Sequence, residues 1–117
     1  MEKLLKEQPN TPPAIFMHHP AFQVTTSKYP FQFSDTGAAN ALLKLVEKHE
    51  QIVQLFCGHM HRQFSVQLKT CIASITPSLS YDNREGDYEQ ELKERPLFQT
   101  HRWRPGRRCF ESQLIPI

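Results

Sequence analysis

Apolar residues fall into short runs separated by proline, glycine and charge, and each run has its own period. Residues 2 to 7 are good helix formers with Leu4 and Leu5 between charges, and Pro9, Pro12 and Pro13 end any helix there. Ala14 to His18 is apolar and bounded by prolines, which suits a buried strand of about five residues stopping at His18, His19 and Pro20. From Ala21 to Phe33 the aromatic residues follow neither helical nor strand period, so a loop is expected. Ala38, Ala41, Leu42, Leu45 and Val46 then recur at three and four, predicting a helix near 36–49 capped by Ser34 or Asp35. Gln51 to Cys57 is mostly apolar, includes Ile52 and Val53, and ends at Gly58, as a buried strand would. Strand, helix and strand read as a βαβ unit.

Beyond it, Phe64, Val66 and Leu68 alternate with polar neighbours, and Thr70 to Ile75 follows as an antiparallel partner with Lys69 near the turn. Pro77 to Pro96 is polar and acidic and reads as a solvated excursion. Leu97 to Trp103 and Cys109 to Ile115 flank Arg104-Pro-Gly-Arg107, whose Pro-Gly pair signals the turn of a second hairpin. The fold class is α/β (α+β).

Composition narrows this picture. The 117 residues suit one domain or part of one, but the hydrophobic share of 38% is low and 9 prolines are many, so the core is thin. A net charge of +2, from 14 basic and 12 acidic residues, does not signal a nucleic-acid binder. Cys57, Cys71 and Cys109 form no C-x-x-C pair and leave an odd thiol, the usage of a reducing compartment, so a cytoplasmic location is expected. Neither an apolar leader nor a run of about 18 apolar residues occurs, so neither export nor a membrane is expected.

Candidate chemistry gathers at Gly58-His59-Met60-His61. Two histidines spaced by one residue in extended backbone point to the same side, roughly 6 to 7 Å apart at Cα, and can reach one ion or straddle two. Gly58 would make the bend. If the strands ending at His18 and Cys57 lie parallel, His18 converges with His59 and His61 on the edge where ligands gather in open α/β sheets. Either motif alone is explained by surface histidine; the two together favour metal ligation. His49 reads as a partner of the helix C-terminus, and His101 as a surface residue on a strand.

Phe-Met-His18-His-Pro, then about forty residues with a helix, then Leu-Phe-Cys-Gly58-His59-Met-His61-Arg62, resembles the calcineurin-like metallophosphoesterases, and within them the class III cyclic nucleotide phosphodiesterases. Pro77-Ser78 and Leu97-Phe-Gln-Thr-His-Arg-Trp103 resemble the same branch. The resemblance implies a four-layer αββα sandwich around a binuclear site of Fe, Mn or Zn that hydrolyses phosphodiesters such as cyclic AMP. By position, His18 and His59 would hold one metal and His61 the other, while His19 would either ligate or set the loop. Arg62, beside the site in sequence, would contact a substrate phosphate; a solvated arginine opening a hairpin accounts for it equally.

The family also places D-x-H, G-D-x-x-D and G-N-H-[DE] ahead of these motifs, and none of them occurs here: the 3 aspartates are Asp35, Asp82 and Asp87, and no glycine precedes an asparagine. Gly86-Asp87-Tyr88-Glu89-Gln90 imitates the second but lies after Gly-His-x-His and ends in glutamine. Residues 1–117 therefore read as the C-terminal portion of one metallophosphoesterase domain with an incomplete metal site, expected to be inactive alone. A complementing N-terminal half or self-association is the expected partner. The alternative is a non-catalytic remnant or interaction module with at most weak metal binding. A nucleic-acid surface around Trp103 and Arg102, Arg104, Arg107 and Arg108 is the third class, disfavoured by the near-neutral charge.

Overall fold

The computed structural model describes residues 1–24, 27 and 35–117. Its elements are α1 (Glu2–Glu7), β1 (Ala14–Phe16), α2 (Thr36–Lys48), β2 (Gln54–Cys57), β3 (Phe64–Gln67), β4 (Ile72–Ile75), a 3-10 turn (Tyr81–Asn83), α3 (Gln90–Lys93), β5 (Leu97–Arg104) and β6 (Cys109–Pro116). Most of the loop expected over 21–33, and Ser34 as a cap, lie outside the described residues. Asp35 caps α2, its Oδ1 accepting from the Gly37 and Ala38 amides at 2.8 and 3.2 Å.

Four strands form one sheet in the order β1-β2-β4-β3. β1 and β2 pair in parallel, as a βαβ unit requires, β2 and β4 also run parallel, and β3 returns antiparallel on β4. Leu55, Cys57, Ala73 and Ile75 share a face with Ile15, Phe64 and Val66, and pack against Val46 and Leu42 of α2 and Leu5 of α1. Gln54 and Phe56 face the other way. There Gln54, buried, donates to Ser74 Oγ at 3.0 Å, which satisfies its amide N–H.

β5 and β6 form an antiparallel hairpin of eight residues a side over that second face. Phe56 meets the His101 and Phe110 rings at 4.1 and 5.2 Å, and Thr76 Oγ1 donates to Gln99 Oε1 at 3.0 Å. His101, expected at the surface, is half-buried: it shares the inward parity of Leu97 and Trp103, hydrogen-bonds Ser112 through Nδ1 at 2.8 Å, and burial holds its imidazole below the ordinary range. The mixed α/β expectation holds. Helices α1 and α2 pack on one face of the four-stranded sheet and the hairpin lies over the other.

The stretch from Pro77 to Pro96 is largely exposed but not loose. Arg84 donates to the Ser78, Leu79 and Arg95 carbonyls at 3.2, 3.3 and 2.8 Å, tying the excursion to itself. Among the described residues no helix is long and apolar enough to cross a membrane.

Candidate metal centre

β1 and β2 carry their histidines to a common edge. Met17 N–H donates to Phe56 O at 3.0 Å and Gly58 N–H to His18 O at 2.9 Å, so the parallel register runs past both strand ends and sets His18 against Gly58. A Cβ on Gly58 would lie 3.4 Å from His18 Nδ1 and 3.8 Å from its carbonyl oxygen. Those are ordinary contacts, and Gly58 is not in left-handed backbone, so neither the bend nor the packing there depends on glycine. The bend falls on the histidines, because His59 and His61 have φ of 65° and 52°.

That geometry replaces the extended Gly-His-Met-His expected from spacing. Met60, fully buried, turns into the core, and its N–H donates back to Gly58 O at 2.7 Å, closing a three-residue turn centred on His59. Burying the thioether forces the flanking imidazoles outward in left-handed backbone, a conformation in which histidine is among the better-tolerated residues.

His18, His19 and His59 come together, with one ring nitrogen of each within 4.8 Å of the others. Their rings lie 4.7, 5.4 and 4.2 Å apart in the pairs 18–19, 18–59 and 19–59. Partial desolvation and the neighbouring His59 and His18 rings hold the His19 imidazole below the ordinary range. Metal–nitrogen bonds of about 2.0 to 2.1 Å span at most about 4.2 Å between donors, so three neutral imidazoles fit one borderline ion after slight closure. Among the described residues no carboxylate joins them.

His61 stands outside this trio. Its Nδ1–H donates to Asn83 O at 3.1 Å, which leaves the lone pair of the neutral ring on Nε2. Glu85 N–H donates to His61 O at 2.7 Å, Arg62 bridges to Glu85, and Gln63 N–H donates to Tyr88 Oη at 3.0 Å. The excursion after β4 therefore braces the Gly-His-Met-His-Arg loop from its far side. The Arg62 guanidinium lies by Gly86, 4.0 Å from where a Cβ there would sit. His49 caps α2, its Nε2 3.9 Å from Glu2 Oε1. On the hairpin, Arg104 and Arg107 meet Glu111 at 2.6 and 3.6 Å, which neutralises part of the basic turn. The bracing by Asn83 and Tyr88 escaped the sequence reading, since nothing local marks a turn that crosses about twenty residues to reach the loop.

No family model matches the chain. The curated proteins it is similar to are phosphodiesterases by name. One, the "Probable glycerophosphodiester phosphodiesterase GpdQ" of Arcobacter nitrofigilis, is 29% identical over 107 residues, covering 88% of this chain and 39% of the relative. Another, the "Glycerophosphodiester phosphodiesterase GpdQ" of Enterobacter lignolyticus, is 30% identical over 78 residues, covering 67% of this chain and 27% of the relative. The chain thus spans well under half the length of either.

Proposed function

We propose that this chain supplies the histidine part of the metal centre of a phosphodiester hydrolase. The observation that carries the reading is the convergence of His18, His19 and His59 where β1 and β2 end. Similarity to two glycerophosphodiester phosphodiesterases supports the reaction class. Their names favour a linear glycerophosphodiester as substrate; a cyclic nucleotide such as cyclic AMP is the second substrate reading, resting on the resemblance of the motifs. Three free cysteines suit the reducing cytoplasm in which we place it.

Divalent ions such as Fe, Mn or Zn, when bound, supply Lewis-acid polarisation of the phosphoryl group and a lowered pKa of water. The chain's own residues do the rest. We assign His18, His19 and His59 to one ion and His61, whose Nδ1 meets Asn83 O, to a second. Arg62 is the group we assign to a substrate phosphate, through a bidentate guanidinium. Carboxylates that balance two cations are missing from the trio, so the chain alone is a poor hydrolase. That same observation favours the competing reading of a non-catalytic chain with a weak metal site.

Hydrolysis decides between them. With added Mn²⁺ the purified chain is expected to turn over neither a glycerophosphodiester, nor cyclic AMP, nor an activated aryl phosphodiester above background. Mixed with the remainder of the Arcobacter relative as a separate polypeptide, it is expected to gain turnover that His18→Ala and His61→Ala each abolish. An inert mixture, or turnover that survives both substitutions, counts against the proposal.

A further inference from the structure

Residues 83–88 grip the Gly-His-Met-His-Arg loop at three places. Asn83 O accepts from His61 Nδ1 at 3.1 Å, Glu85 N–H donates to His61 O at 2.7 Å, and Tyr88 Oη accepts from Gln63 N–H at 3.0 Å. The local chain does little to hold that grip: Asn83 ends a 3-10 turn of three residues, and Arg84 after it is extended, with φ −78° and ψ 136°.

Arg84 supplies the support. It is half-buried, and its Nε donates to Ser78 O at 3.2 Å, its Nη2 to Leu79 O and Arg95 O at 3.3 and 2.8 Å, and its Nη1 to Leu92 O. Two of those carbonyls precede the 3-10 turn, and two lie at or just past the end of α3, where helix carbonyls lack partners of their own. One guanidinium therefore ties both limbs of the excursion around residues 83–85. The Tyr88 ring lies beneath it, its centroid 5.4 Å from Cζ.

The consequence falls on His61. A carbonyl oxygen only accepts, so Asn83 admits the neutral imidazole with its proton on Nδ1 and its lone pair on Nε2. We propose that Arg84 is a positioning residue of the metal centre: by fixing Asn83 and Glu85 it selects the His61 tautomer and leaves Nε2 as the ligand atom. This rests on the assignment of His61 to an ion made above. Lysine is no substitute, since its three donors on a flexible stem cannot fork between four carbonyls.

The test is long-range proton–nitrogen correlation of the full chain carrying isotope-labelled histidine, at about pH 9, where free imidazole is neutral. The signal lost in His61→Ala assigns that ring. The expected result is protonation on Nδ1 alone in the unaltered chain and a mixture of both tautomers in Arg84→Gln and Arg84→Lys. Tyr88→Phe removes only the bond to Gln63 and is expected to keep the single tautomer. Amide exchange in β2 and β4 checks that the sheet is intact, and Arg84→Lys, which keeps the charge, reads the same loss should Arg84→Gln unfold. Mixed with the remainder of the Arcobacter relative, both Arg84 variants are expected to lower turnover at least about tenfold. Protonation of His61 on Nε2, a single tautomer that persists in both Arg84 variants, or mixing in Tyr88→Phe as large as in Arg84→Gln would overturn the inference; turnover that His18→Ala and His61→Ala still abolish would then leave the functional reading standing. Tautomer mixing in the Arg84 variants beside turnover indifferent to His61→Ala does the reverse.

Discussion

At His59 and His61 the backbone is held at φ 65° and 52°, where a Cβ is disfavoured, at a cost of order 1 kcal/mol each. Glycine removes that cost. His59→Gly and His61→Gly are therefore expected to leave stability to denaturant unchanged or raise it by roughly 0.5 to 1 kcal/mol, while His59→Ala loses less than about 2 kcal/mol. A loss above that in the glycine variants would mean that the imidazoles are packing residues. The spacing of Gly-His-Met-His was legible in the sequence, but the left-handed turn was not. It depends on Met60 reaching a core assembled from distant strands, and an H-x-H pattern looks the same in extended backbone. Cysteine chemistry belongs to the same scale. Burial pushes the Cys57 thiol from 9.0 to about 12 and Cys71 also upward, whereas Cys109 is half-buried. A thiol-reactive disulfide probe should therefore label Cys109 first and the other two only on unfolding. Because the folded Cys57 thiol stays neutral where the unfolded one ionises, its contribution is whole below about pH 9 and is lost as pH rises toward 12.

Among the elements, α2 was the most legible, since its apolar stripe and Asp35 cap are local signals. Asp35→Ala is expected to cost about 1 kcal/mol in a denaturant melt, and Asp35→Ser much less. Equal losses in the two would deny the cap its role. Strands were legible by period but ran short: the expected 51–57 begins at Gln54, because the backbone at 49–52 is a turn closed by Ile52 N–H donating to His49 O at 3.0 Å. His101 was misread because alternation fixes which residues share a face but not which face turns inward; that depended on Phe56, some forty-five residues away. α1 is held to α2 by Glu2, whose carboxyl the Lys48 and Lys6 ammonium groups keep down at about 2. A depressed carboxyl contributes above pH 4.5 and loses that contribution as pH falls through 2, so amide exchange at Leu5 should accelerate over that window. Screening by salt should shrink the effect.

For the whole molecule, the thin core read from composition is visible as a flat body, 45 × 35 × 19 Å, with Phe16, Leu79 and Phe98 exposed. Convergence of His18 with His59 followed from one assumption, that two short strands lie parallel, and β1 and β2 meet it. The membership of His19 in the trio and the separate tether of His61 did not follow, because both depend on loop geometry that spacing leaves open. Whether these imidazoles hold a metal ion is decided by titrating the chain with Co²⁺ and following its visible absorption. One ion per chain, bound weakly through nitrogen donors and lost in each of His18→Ala, His19→Ala and His59→Ala, is the expected result. Absorption that persists in all three variants, or two ions held tightly by each chain, would contradict it.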